Sequence, residues 1–144
     1  MKSLIVLVEM VFLHFFADYF LQGVLANMKQ FKWWYRTYTK TYKTKDELQK
    51  MPWKNDYKAA LFAHSFEWTF IVMLPMLYLV YYNSSIFGYS TMYLFLFCGN
   101  LAAHYYVDDL KANKHKINLI QDQRLHFIQI LTSWIMWWAI IGWN

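Results

Sequence analysis

Four long apolar stretches run along the chain, at about Ser3 to Leu25, Tyr57 to Tyr82, Tyr89 to Leu110 and Ile117 to Trp143. Each is near the ~20 residues that carry a helix across a bilayer. They predict an all-α, polytopic membrane protein: one transmembrane domain over residues 1–144, with four transmembrane helices in a bundle. The first stretch follows Lys2 as a signal peptide would. Glu9, His14 and Asp18 interrupt it, and no A-x-A-like site follows, so it reads as a retained helix. Pro75 predicts a kink in the second helix, and Gly99 with Ala103 predicts a close approach of the third to a neighbour.

Composition agrees with this pattern. Of 144 residues, 58% are hydrophobic and only 16% charged, against roughly 25% charged in ordinary soluble domains. The single Cys98 excludes an intrachain disulfide and any CxxC site. Nine of the 14 basic residues fall between Lys29 and Lys58, eight of them within a loop from Ala26 to Asp56, and three more, Lys111, Lys114 and Lys116, occupy a short turn. Short cytoplasmic loops collect Lys and Arg. Both basic segments are therefore expected in the cytoplasm, and the uncharged turn Asn83 to Gly88 and both termini on the outer side of an inner (cytoplasmic) membrane.

Against this apolar background the ionisable residues fall in pairs. His14 and Asp18, His104 and Asp108, and Asp122 and His126 are each four apart, the spacing that sets two side chains on one helix face. At ~1.5 Å per residue, Asp18 lies ~10 Å and His14 ~16 Å from the cytoplasmic end of the first helix. His64, His104, Asp122 and His126 come out at ~8 to 14 Å, and Asp108 at ~3 Å. Helices of opposite direction thus bring six of these seven groups, all but the shallower Asp108, to one layer. A charge within a span costs at least ~2.5 kcal/mol on insertion scales, so such residues need partners or a function.

Four imidazoles and three carboxylates suit a borderline or hard divalent ion, Zn, Mn, Fe or Ni. Seven donors exceed one tetrahedral ion. One or two metals are expected, and a pair ~3.5 to 4 Å apart would activate water for attack on an ester or phosphoester. The candidate ligands are His14, Asp18, His64, His104, Asp108, Asp122 and His126. Glu67, one turn beyond His64, and Asp109 are candidate catalytic groups, and Gln22 and Gln123 candidates to orient ligands. Glu9 is read as reaching water at the outer end, and His115 as a solvated loop residue.

The run FKWWYRTYTKTYKTK, Phe31 to Lys45, interleaves aromatic and basic residues. It is expected to lie on anionic lipid head groups, or to draw in an anionic small-molecule substrate through Lys29, Lys32, Arg36 and Lys40; nucleic acid is the less favoured partner. Phosphate-binding and dinucleotide glycine patterns and an HExxH helix are absent.

The segments HFFADYFLQ (His14 to Gln22), AHSFE (Ala63 to Glu67), HYYVDDLK (His104 to Lys111) and DQRLH (Asp122 to His126) resemble the bacterial and phage membrane family catalogued as domain of unknown function 3307. The resemblance covers all four helices. More distantly, the pattern is similar to membrane-bound metal-dependent hydrolases. It implies the same seven His and Asp residues as the functional set. The long aromatic and basic loop departs from the family pattern. The expected function is a metal-dependent hydrolase at the cytoplasmic face. The alternative is a non-catalytic membrane protein with a structural metal site, such as a phage factor acting on host membrane components, or a metal or proton translocator.

Overall fold

The computed structural model describes residues 2–40, 52–82 and 86–141. Among them are seven α-helices and no strand: α1 (Lys2–Phe15), α2 (Leu25–Met28), α3 (Phe31–Thr39), α4 (Asp56–Val72), α5 (Leu74–Tyr82), α6 (Ile86–Ala112) and α7 (Leu119–Ile141). Lys43, Lys45 and Lys50 of the basic loop, residues 83–85 of the expected Asn83–Gly88 turn, whose remainder belongs to α6, and residues 142–144 lie outside the described residues.

α1 passes directly into a π-helical turn, Phe16–Leu21, and the chain then reverses at Gly23, whose φ of +46° is a left-handed conformation that glycine adopts without strain. The first long helix therefore ends at Leu21, four residues short of the expected Leu25. The expected second helix is broken. α4 and α5 meet at Met73 with a bend of 51°. Pro75, the second residue of α5, has no N–H for the carbonyl of Ile71, so the ladder resumes only with Leu77 N donating to Met73 O. α7 starts at a reciprocal cap. Gln121 N donates to Asn118 Oδ1 and Asn118 N to Gln121 Oε1, both at 2.9 Å. Asp122 and His126, one turn apart on α7, both point inward.

α4 packs on α6, α6 on α7, and α1 on both α4 and α7, which closes a four-element ring. One half of its interior is apolar, with Met10, Trp68, Val72, Met73, Met76, Ile130 and Trp137 almost wholly buried. The other half holds the histidines and aspartates. The outer surface inverts the order usual in water: large apolar side chains such as Leu4, Val8, Phe12, Phe62, Phe95, Ile128 and Ile140 are exposed. By length and composition one helix, Ser3–Leu21, is apolar enough to cross a membrane, and the bent α4–α5 pair makes a second if it counts as one span. α6 and α7 are long enough at 27 and 23 residues but are not apolar enough to qualify, with polar residues both inside, such as His104 and Asp122, and outside, such as Gln121 and Arg124.

Gly99 and Ala103 do not bring α6 close to a neighbour, contrary to expectation. Both are exposed, a Cβ on Gly99 would meet nothing within 4 Å, and they line an open apolar groove of about 410 Å³ between α6 and α7. The expected Ala26–Asp56 loop is also partly ordered. α3 is a short helix, and Pro52–Asn55 forms a 3-10 turn leading into α4. Asn113, just beyond α6, pins this segment: its Oδ1 accepts from Phe31 N (2.8 Å), and its Nδ2 donates to Lys29 O (3.1 Å) and Asp109 Oδ1 (3.0 Å).

Replacing Asn113 with Ala should cost about 1 to 2 kcal/mol, the loss of several part-buried hydrogen bonds. Amide hydrogen exchange is the check: protection at Phe31 should fall while that of α4 and the middle of α6 stays unchanged.

Candidate metal centre

The polar half of the bundle is built around Asp108, which α6 carries almost wholly buried. Its Oδ2 lies 2.6 Å from Lys29 Nζ, 3.2 Å from His64 Nε2 and 3.8 Å from His104 Nε2; its Oδ1 lies 3.6 Å from His126 Nε2. His104 Nε2 and His64 Nε2 are 3.3 Å apart. Asp18 Oδ1 lies 3.8 Å from His64 Nε2, and Asp122 Oδ1 3.4 Å from His126 Nε2. Six of the seven expected ligands thus point into one cluster, four of them in two of the expected four-apart pairs: His104 with Asp108 and Asp122 with His126.

The third pair does not form. The π-turn begins two residues after His14 and breaks the 3.6-residue periodicity, so the four-apart spacing no longer sets Asp18 against it. Asp18 instead faces His64 and accepts from Gln22 Nε2 and Gln123 Nε2, both at 2.9 Å. Both ring nitrogens of His14 are taken. Trp68 Nε1–H donates to its Nδ1 at 2.9 Å, and a Trp indole can only donate, so His14 carries its proton on Nε2 and gives it to Gln123 Oε1 at 3.0 Å. His14 is therefore a neutral orienting residue and not a ligand: it fixes Gln123, which fixes Asp18. Gln22 and Gln123 hold a carboxylate of the cluster, as their positions in the sequence suggest.

The two candidate catalytic groups are not brought to the cluster. Asp109 points to the turn after α6, where Lys114 Nζ reaches its Oδ2 at 2.8 Å. That hydrogen bond raises the Lys114 pKa above its usual value. Glu67 is half-buried on α4, and among the described residues no hydrogen bond or ion pair joins it to the cluster.

The basic residues divide as well. Lys32, Arg36 and Lys40 are exposed on or just after α3, whereas Lys29 turns inward and is only 7% exposed. It is a partner of Asp108 and not the free rim cation expected. Lys111, not singled out in the sequence, reaches Asp122 Oδ2 at 2.5 Å. His115 is an exposed loop residue, as expected, and with Gln22, Lys29, Gln30, Asp108 and Lys111 it lines a cleft of about 290 Å³ that reaches Asp108 of the cluster. Trp68 was also missed. It stacks on His104 (centroids 4.1 Å, 17° between planes), and His104 stacks on His126 (4.3 Å, 27°). Nothing in the sequence separates Trp68 from the other seven tryptophans. Lys111 and Asp122 lie on different helices with a turn between them, so helical spacing does not relate them.

The side chains fit a divalent cation. Two groups, Asp18–His64–His104 and His104–Asp108–His126, each bring one donor atom per residue within 4.8 Å of the others. Donors on a tetrahedral ion bound at ~2.1 Å lie ~3.4 Å apart, close to the 3.3 and 3.4 Å of His64–His104 and Asp122–His126. His104 Nδ1, both ring nitrogens of His126 and Asp122 Oδ1 are buried without a hydrogen-bond partner among the described residues. Such orphaned atoms call for a further partner. Three carboxylates face two ammoniums and the imidazoles of His64, His104 and His126, so either a protonated imidazole or a metal ion balances the charge. Compared with protein families, curated proteins and solved structures, the chain matches none.

Replacing Trp68 with Phe keeps the stack on His104 but removes the donor to His14 Nδ1. A loss of about 1 to 3 kcal/mol is expected for the orphaned acceptor. Thermal unfolding in detergent should register this. Long-range ¹⁵N spectra should show His14 as one neutral tautomer, protonated at Nε2, in the wild type and as a mixture in the variant.

Proposed function

We propose that the protein is a four-span helical membrane protein of the inner membrane, with a divalent metal centre at its cytoplasmic face that hydrolyses a phosphoester or ester. The observation that carries the catalytic part is the cleft: Asp108, at the centre of the ligand set, also lines a polar opening with Lys29, Lys111 and His115. A purely structural metal site has no need of an open approach, whereas a catalytic one does. The resemblance to the family of unknown function 3307 belongs to the same reading.

Support for the membrane part comes from the inverted surface. Exposed Leu, Ile and Phe cover the long helices while His14, His64, His104, Asp108, Asp122 and His126 are inside. Lipid would solvate the first set and exclude water from the second. α3 carries Lys32 and Arg36 beside exposed Phe31 and Tyr35, a composition suited to an anionic lipid surface.

In this reading His64, His104, Asp108 and Asp18 would hold one ion, Zn, Mn, Fe or Ni, and His126 and Asp122, with Asp108, would hold a second. Bound there, a divalent ion supplies Lewis acidity and a nucleophile at neutral pH. The chain's own residues do the rest. Gln22 and Gln123 keep the Asp18 carboxylate turned to the site, His14 keeps Gln123 in place, and Trp68 with His104 and His126 forms a wall that excludes water from the apolar half. Lys29 and Lys111 present positive charge toward the cleft.

A second reading has an observation of its own. Asp108 and Asp122 each already have an ammonium within 2.6 Å, so the cluster is a polar core that Lys29 and Lys111 neutralise without metal. Elemental analysis of protein purified without chelator separates the two. One or two divalent ions per chain are expected, falling at least several-fold in His126→Ala and Asp108→Asn and little in His14→Gln. Metal-free wild type, or full occupancy in both ligand variants, would establish the second reading. Given metal, phosphoester turnover should be lost with chelator and return with Zn or Mn; turnover unaffected by chelator, or none in a broad ester screen, would reduce the centre to a structural one.

The topology has its own test. A C-terminal alkaline phosphatase fusion should be active and a green fluorescent fusion dark. The opposite result would reverse the sidedness of the cleft.

A further inference from the structure

From the pairing of Lys29 and Lys111 we infer that the cleft is a phosphate-binding subsite which becomes available when metal binds. The two lysines are surrogate cations that hold the ligand carboxylates until then and hold the phosphate afterwards. This rests on the metal reading above and adds to it the substrate group and a linkage between the two ligands.

Each lysine is committed to a different carboxylate of the ligand set, Lys29 to Asp108 Oδ2 and Lys111 to Asp122 Oδ2, and both line the same cleft. A divalent ion on those carboxylates would stand within a few Å of each ammonium, where like charges repel by several kcal/mol at the dielectric of a partly buried site. The lysines must then turn away, and the cleft is the polar space that both already border. Lys111, a third exposed on a flexible stem, is free to do so. Lys29 sits between the left-handed turn at Gly23 and the extended Gln30, with its backbone held by Asn113.

Two released ammoniums with six N–H donors match the charge and acceptor count of a phosphate dianion. Gln22, Gln30 and His115 border the same space with further polar groups. At about 290 Å³ the cleft is of head-group size, at the small end of ligand sites. In the metal-free chain the same ammoniums hold Asp108 and Asp122 in place and are not available to an anion. Metal and phosphate therefore bind cooperatively, and the effect of each on the other is equal.

The test is a binding measurement on the full chain in phosphatidylcholine nanodiscs, with free Zn²⁺ or Mn²⁺ set by a metal buffer and inorganic phosphate as the probe. Saturating phosphate should tighten metal binding on the order of tenfold, and metal should tighten phosphate binding by the same factor. A parallel arm replaces free phosphate with phosphatidic acid in the disc. Linkage in that arm alone assigns the phosphate to a lipid head group, and linkage with free phosphate to a soluble ligand.

Lys111→Gln, at the less buried position, should bind metal at least as tightly as wild type but lose most of the linkage, and Lys111→Arg should keep it. Lys29→Gln should behave like Lys111→Gln if it folds; the wild-type and Lys111 measurements do not depend on it. Metal binding that is indifferent to phosphate in both arms would overturn the subsite and leave the metal centre standing. So would linkage of full size in Lys111→Gln, since phosphate would then be bound by the ion alone. No metal binding under any condition would instead remove the metal reading and this inference with it.

Discussion

The carboxylate of Asp108 is the group around which the rest of the molecule is arranged. It is almost wholly buried in the middle of four packed helices, and a bare carboxylate there is ruinous unless cations and donors surround it. Four elements meet that demand at once. α4 brings His64, α6 itself His104, α7 His126, and the chain after α2 folds back to deliver Lys29. The return of the basic segment onto the end of α6, with Asn113 bonded to both Lys29 O and Phe31 N, is in this sense a consequence of one buried charge.

The apolar half of the bundle supplies the rigidity the polar half lacks. Trp68 belongs to both. It packs among Met10, Met73 and Met76, stacks on His104, and spends its single N–H on His14. That one hydrogen bond sets the tautomer of His14, hence the side of Gln123 that receives a proton, hence the amide that Asp18 meets. A chain of defined donors and acceptors thus runs from an apolar wall to a carboxylate on another helix. The orphaned nitrogens of His104 and His126 stand out because their neighbours are so fully paired.

Much of this was legible in the sequence, for physical reasons that also mark where legibility ends. Inward-facing residues on a regular helix recur at 3.6, so His104 with Asp108 and Asp122 with His126 could be read from spacing, and depth arguments brought His64 to the same layer. The same rule misassigned His14, because it assumes an unbroken helix and the π-turn at Phe16–Leu21 begins between the two residues it relates. Long-range pairing has no period at all. Lys29 with Asp108 spans 79 residues, and Trp68 with His14 spans 54. The basic loop signalled charge strongly enough that Lys29 was grouped with Lys32, Arg36 and Lys40; that a single member turns inward depends on Gly23 and Asn113, neither of which carries charge.

The two halves of the charge ledger explain why a metal and a metal-free fold are both physically reasonable for one chain. With lysines on Asp108 and Asp122, the cluster retains one carboxylate, Asp18, whose partners are amide groups and the His64 ring at 3.8 Å. Amide donors stabilise a carboxylate but do not cancel its charge. The site therefore holds together without a metal, while Asp18, His64 and His104 converge on a position that a cation would suit. Asp108 presents one oxygen to that position and the other to His126, so occupancy of one side changes the charge felt by the other through a single carboxylate. A core meant only to be stable would be better served by apolar residues of the same volume. Keeping four histidines and three aspartates in one buried layer, with a polar cleft leading to it, is the costlier arrangement, and it is the one that binding a cation rewards.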